Sequence, residues 1–407
     1  MYKVYGNIVL GKIYMKILIS TLTLIISMAF NSQVFSCSDV FLNKGKYHIE
    51  ARTLDFLVNL GFQDKIGFIS EDNITDIILD ADKIPNKQLT TWKNKYGYFG
   101  RAAFNGEKII DGMNTQGLSV SILYLPGTKF PAYDPKDQKP VLSIYDIASY
   151  LLSQARTVSE SLELIRSRQL VQSAVKEKEG YFIKDIPIHY AIRDKTGASA
   201  VIEFINGTTK IHENAGDILT NAPSLEWQLQ NASYYDSLLA DNKNPTEKFS
   251  KSFHEYEEIY KVSSFKGEAN LMGTPGDSTP PSRFARARVL LNNFPAPSSK
   301  QVALYQASSL IDSLAVPALR GASPTLWSSI KDLDDGVYYV KNIVVFQGDK
   351  SLYSMPITSG YMAIDLKLIN FNIPDPTYNQ MKVEPTNPKD IKTIVSADII
   401  KLTGINE

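Results

Sequence analysis

With a single cysteine in 407 residues, the chain cannot close an internal bridge, so a disulfide scaffold is excluded. Neither sign of charge is in excess: Lys+Arg and Asp+Glu both number 43, and no segment concentrates the basic ones. A sequence-independent grip on nucleic acid, which works by displacing phosphate counterions, is therefore not expected. Internal repeats, low-complexity tracts and linkers rich in Pro, Gly or Ser are also missing beyond residue 36, which argues for one continuous domain over residues 37–407. Hydrophobic residues make up 43% and aromatic residues 11% of the chain, enough for a large core, so disordered and collagen-like classes fall away as well.

What is present begins with the amino terminus. Residues 1–36 carry Lys3, Lys12 and Lys16 and no acidic residue, and Ile17 to Phe30 is uncharged and mostly apolar. This is the charged-then-apolar order of an export leader. The polar step Asn31-Ser32-Gln33 leads into Val34-Phe35-Ser36, whose modest side chains suit a signal peptidase cutting before Cys37. The apolar block is short for a membrane span, so a removed leader is favoured over a stable membrane anchor, and the expected location is periplasmic or secreted. Cleavage would leave 40 basic and 43 acidic residues.

It would also make Cys37 the first residue. A lone cysteine at an arbitrary position is usually a small buried hydrophobe. A terminal one is different, because its thiol lies beside a free α-amine that can take and return a proton. An α-amine of pKa about 7.7–8.0 does this near neutral pH without a histidine. His48, His189, His212 and His254 have no metal-ligand spacing and read as bystanders, so neither metal nor cofactor is expected.

The pattern of elements reads as strands, helices, strands, helices, strands. Ser38 to Asn43, Tyr47 to Thr53, Lys65 to Ser70 and Leu118 to Leu125 read as strands. Ile144 to Ala155 has helical spacing, and Thr157-Val158-Ser159-Glu160 is a capping box that opens a second helix. Ile188 to Arg193 and Ser199 to Ile205 alternate around Asp194-Lys195-Thr196-Gly197 and form a hairpin, which Thr208 to Glu213 extends. Phe284 to Asn293 and Gln301 to Leu314 read as helices; Gly336 to Phe346, Leu352 to Thr358 and Tyr361 to Ile369 read as strands. Ser224 to Lys266, polar and aromatic, stays unassigned. Antiparallel hairpins without βαβ periodicity give an α+β fold of two packed antiparallel sheets with helices outside.

Five motifs, in order, carry a resemblance: Cys37-Ser38-Asp39, Ala51-Arg52-Thr53-Leu54-Asp55-Phe56, Asp111-Gly112-Met113-Asn114 running into Leu123-Tyr124, Leu219-Thr220-Asn221-Ala222-Pro223, and Gly273 to Arg283. Together they resemble the choloylglycine hydrolase family, which holds penicillin V acylases and conjugated bile salt hydrolases. The resemblance implies a four-layer αββα N-terminal-nucleophile hydrolase sandwich, a linear amide C–N hydrolase acting on a small-molecule amide, no cofactor, and a homotetramer. It also implies roles for individual residues. Cys37 would be the nucleophile, Arg52 the charge that favours its thiolate, and Asp55 the carboxylate that holds its amine. Tyr124 and Asn221 would form the oxyanion hole, with Arg283 the last arginine near the site. Asn114, in a shared motif, reads first as a turn residue.

Tyr124 stands where penicillin V acylases typically place tyrosine and bile salt hydrolases asparagine, so the chain leans towards a penicillin V acylase. Conjugated bile salt hydrolase and N-acyl homoserine lactone acylase remain as alternatives. A lipoprotein lipidated at Cys37, binding rather than catalysing, is the rival from another class. Phe35 is bulky for a lipobox, and that reading leaves Arg52, Asp55, Asn221 and Arg283 unexplained.

Overall fold

The computed structural model describes residues 36–56, 62–77, 82–176, 182–241, 274–317, 323–344 and 357–372. The expected leader up to residue 35, His254 and Leu352 to Pro356 of one expected strand lie outside them. In chain order, the strands of the two large sheets are β1 (Ser36–Lys44), β2 (Tyr47–Asp55), β3 (Gln63–Gly67), β4 (Tyr98–Ala103), β5 (Lys108–Asn114), β6 (Leu118–Tyr124), β7 (Ile188–Asp194), β8 (Ser199–Ile205), β9 (Thr208–Glu213), β10 (Ile218–Leu219), β11 (Thr325–Asp332), β12 (Val337–Val344), β13 (Ile357–Thr358) and β14 (Met362–Asp365). The first seven-stranded sheet runs β10-β1-β2-β11-β12-β13, with β14 also on β12; the second runs β9-β8-β7-β6-β5-β4-β3. Every pairing within them is antiparallel.

The helices are α1 (Ile147–Gln154), α2 (Val158–Arg166), α3 (Leu225–Asp241), α4 (Pro280–Asn293) and α5 (Lys300–Leu314). Apolar residues of α1 and α2, among them Ile147, Leu151, Leu162 and Ile165, pack with Val120, Ile122, Tyr190 and Ile202 of the second sheet. Phe284 and Ala287 of α4 and Ala307 and Ile311 of α5 pack with Val40, Ile49 and Ala51 of the first. Between the sheets lie Phe41, Phe99, Met113 and Tyr338. The layers are therefore α, β, β, α, as the order of elements implied.

Local chemistry explains the boundaries. Thr157 caps α2 by accepting from Glu160 N at 3.2 Å, while the Glu160 carboxylate reaches back to Arg156 N at 2.8 Å, one residue before the partner of an ideal box. The β7–β8 hairpin closes on Gly197, whose φ of +88° a side chain would strain, and Asp194 Oδ1 accepts from Thr196 N at 2.7 Å. Asn114 is the turn residue expected: its Nδ2 donates to Leu152 O and Ala155 O, both at 2.8 Å, and its Oδ1 accepts from Gln116 N and Leu118 N.

Several expectations need correction. The strand expected over Lys65 to Ser70 is Gln63–Gly67, ended before Ser70, which has a φ of +65°. The strand over Tyr361 to Ile369 shortens to Met362–Asp365 because Asp365 caps a 3-10 turn, accepting from Lys367 N at 2.9 Å. β4, β5 and β11 arise where no strand was expected, and α3 occupies part of the unassigned segment.

Candidate active site

The alternation of β-strands sets the site. Cys37 pairs with Leu54, Asp39 with Arg52 and Phe41 with Glu50; on the other side of β2, Trp327, Ser329 and Lys331 of β11 face Leu54, Arg52 and Glu50. These residues share the face turned to the second sheet. Ser36, Ser38, Thr53, Asp55 and Thr325 belong to the opposite, helix-covered face.

Cys37 is buried, with 2% of its surface exposed, and is joined to Ser36, so its nitrogen is an amide. That N–H donates to Asn221 Oδ1 at 2.5 Å. Arg283, from the first turn of α4, is fully buried and converges on the same point. Its Nη1 donates to Cys37 O at 2.6 Å and Ser38 Oγ at 2.5 Å, and its Nη2 to Asn221 Oδ1 at 2.9 Å and Ser36 Oγ at 3.1 Å. Asn221 Nδ2 donates to Tyr124 O at 2.7 Å, which leaves its second hydrogen for another acceptor. Tyr124 is half-buried at the end of β6.

Asp55 does not meet the Cys37 nitrogen. An amide has one hydrogen, and Asn221 takes it; Asp55 instead accepts from Thr325 Oγ1 at 2.5 Å and Thr53 Oγ1 at 3.4 Å. Burial pushes its carboxyl up to about 7, against the pull of Arg283, the two threonines and Arg52. Arg52 keeps its head out of water. It lies fully buried between the sheets, donating to Ile110 O and Ile122 O, 3.7 Å from Asp111 Oδ1 and with its guanidinium 5.3 Å from the Trp327 ring centre. Burial pushes the Cys37 thiol up, while the charges of Arg52 and Arg283 and a hydrogen bond from the Asp55 backbone pull it down.

All six expected residues thus gather around one point. The sequence reading missed what surrounds them: Trp327 under Arg52, and a buried layer in which Asp111 meets Lys331 Nζ at 2.5 Å, Lys331 meets Glu50 at 3.1 Å and Asp39 meets Arg193 at 3.1 Å. Asp39 and Glu50 face each other in this layer. Burial and the Glu50 charge push the Asp39 carboxyl up. Asp39 and Asp111 stood in two of the five motifs, which were the signals available. Among the described residues no group of His, Cys, Asp or Glu has the geometry to hold a metal, and no helix is long and apolar enough to cross a membrane.

The layers define an α+β sandwich of two antiparallel sheets with helices on the outer faces. The chain belongs to the choloylglycine hydrolase family of linear amide C–N hydrolases, matching it over residues 37–347. A penicillin V acylase from Pectobacterium atrosepticum is 32% identical over 152 residues, 36% of this chain and 40% of that protein, so the chain matches less than half the length of that relative. A bile salt hydrolase/transferase from Clostridium perfringens is 25% identical over 311 residues, 73% of this chain and 85% of that protein. In fold, the chain is similar to the penicillin V acylase of Agrobacterium tumefaciens, with a TM-score of 0.60 and 20% identity over 82% of this chain and 87% of the other. A mutant conjugated bile acid hydrolase of Clostridium perfringens gives 0.60 and 19% over 83% and 95%.

Proposed function

We propose that the chain is an exported cysteine amidase of the penicillin V acylase type, with Cys37 as nucleophile once residues 1–36 are removed. The observation that carries this reading is the convergence of Arg283 and Asn221 on the Cys37 backbone, with one Asn221 hydrogen still unspent. Cleavage after Ser36 turns the Cys37 amide into an amine and removes the residue that faces Asp55. The amine takes the thiol proton, and the sulfur attacks the acyl carbonyl carbon. Asn221 Nδ2 and a donor of Tyr124 hold the oxyanion, and the amine returns the proton to the departing nitrogen. Water then attacks the thioester, freeing the acid and the thiol. Arg52, held from below by backbone carbonyls, favours the thiolate without touching substrate.

The experiment is a competition. Protein beginning at Cys37 is given penicillin V and a glycine-conjugated bile acid in one tube, with both released amines quantified against a Cys37→Ser blank. Preferential loss of the phenoxyacetyl group supports the Tyr124 argument; preferential release of glycine assigns the chain to the bile salt branch; no amine from either sinks the reading for both substrates and moves the test to N-acyl homoserine lactones.

Two further results are expected. Arg52→Met should move the alkylation profile of the Cys37 thiol to higher pH by about one unit or more, since a cation beside the thiol is lost. An unmoved profile removes Arg52 from its role. For Asp55, the native carboxyl at about 7 is raised above its unfolded value, so its share of stability is complete below about pH 4 and is lost as pH rises through 7. In uncleaved protein, Asp55→Asn should therefore flatten the fall in melting temperature between pH 5 and 8; a variant that follows the parent's slope contradicts the assignment.

A further inference from the structure

Glu203, on the inner face of β8, is fully buried and lies outside the cluster just described. Both of its oxygens are engaged. Oε1 accepts from Leu225 N at 2.9 Å and lies 3.4 Å from His189 Nδ1, and Oε2 lies 3.2 Å from His212 Nε2. His189 on β7 and His212 on β9 flank it on the two neighbouring strands, and His189 is itself fully buried. Leu225 opens α3, so the carboxylate satisfies one of the amide hydrogens that a helix start leaves without a partner, where the helix dipole also favours a negative group. Burial alone would raise Glu203, but hydrogen bonds from the two histidines and from Leu225 N hold it ionised, at about 2.

Four residues before Leu225 stands Asn221. The turn between them is fixed at one end by Asn221, bonded to Cys37, Arg283 and Tyr124, and at the other by Glu203; Gln228 Nε2, one turn into α3, also reaches Asn221 O at 3.5 Å. We infer that Glu203, braced by His189 and His212, is a positioning residue that fixes where Asn221 presents its free amide hydrogen to the reacting carbonyl oxygen. The inference rests on the proposed role of Asn221. It also changes the standing of two histidines that the sequence reads as bystanders. They touch no reacting atom, and they hold the carboxylate that holds the turn.

An oxyanion donor acts in the transition state, so misplacing it lowers kcat and leaves KM nearly unchanged. A merely structural glutamate would instead lower the amount of folded protein, which the amplitude of the cooperative melting transition counts directly. With the amide preferred in the competition assay, Glu203→Ala is expected to lower kcat per folded molecule about ten- to a hundredfold, with KM within about threefold of the parent. Glu203→Gln keeps an oxygen for Leu225 N and should recover most of that loss. Should Glu203→Ala not fold, Glu203→Asp keeps the charge and draws the anchor back by one methylene; a five- to tenfold fall in kcat at unchanged KM is then expected. Parent kcat per folded molecule in Glu203→Ala, or in Glu203→Asp where that variant stands in, overturns the inference, as does a loss in Glu203→Gln as large as in Glu203→Ala. Failure of the underlying reading looks different: Cys37→Ser would then still turn over, whereas here it is inactive while only the Glu203 variants decide.

Discussion

Cys37→Ser is expected to abolish turnover, by at least about 10³-fold in kcat, while leaving the folded protein intact. The chemical half of this rests on proton affinities. A thiol is acidic enough for an α-amine of pKa about 7.7–8.0 to take its proton, whereas a serine hydroxyl lies far above both. The structural half rests on which atoms hold the residue. The hydrogen bonds that fix Cys37 go through its main chain, from N–H to Asn221 and from Arg283 to C=O, and serine offers the same two groups. The melting temperature should consequently match the parent, and the variant should bind substrate without releasing amine. Mass spectrometry supplies a second reading: rapidly quenched parent should carry an acyl group on Cys37, and the serine variant none. A serine variant that keeps a tenth of parent turnover would place the nucleophile at another residue.

How much of this the sequence carried depends on which way each side chain faces. The β7–β8 hairpin was legible because its alternation is unbroken and its turn ends in glycine. The register that follows from it sets His189 beside Glu203, so the brace under Asn221 could have been found by pairing the strands residue by residue instead of asking the histidines for metal spacing. β11 was illegible for a physical reason. Its inward positions are Trp327, Ser329 and Lys331, and an inward lysine reads as solvent-facing unless its buried partners are known. β4 and β5 hide in the same way, with Arg101 and Asp111 turned towards the first sheet. The Cys37 end was open to reading because the chemistry proposed for it depends on residue type; the layer beneath it depends on pairing across two sheets, which only the fold supplies.

That layer carries the other large expected effect. Lys331 is fully buried, with Nζ 2.5 Å from Asp111 Oδ1, 2.8 Å from Ser121 Oγ and 3.1 Å from Glu50 Oε1. Asp111 also accepts from Ser121 Oγ and Ser329 Oγ at 2.7 Å and from Tyr338 Oη at 2.5 Å, and Arg52 lies 3.7 Å from its Oδ1 on the Cys37 side. Lys331→Met keeps the apolar length and removes the charge, leaving Asp111 and Glu50 short of a cation in a dry layer. Breaking one side of such a group costs about 3–5 kcal/mol, a large part of the roughly 5–15 kcal/mol that holds a domain together. The pH dependence identifies the cause. Burial would raise Asp111, but the charges of Lys331 and Arg52 and its hydrogen bonds hold it well below the ordinary carboxylate range. Its contribution is therefore present above about pH 4 and is lost as pH falls through its native value. Without Lys331, Asp111 escapes its isolation by taking a proton, so the gap between parent and variant in urea midpoint should be wide at pH 7 and narrow at pH 4. Adding Asp111→Asn to Lys331→Met should restore part of the loss, because the pair is coupled. A gap of equal size at both pH values would assign the loss to packing of the lysine stem, and the charged layer would then be a passenger of the fold and not one of its supports.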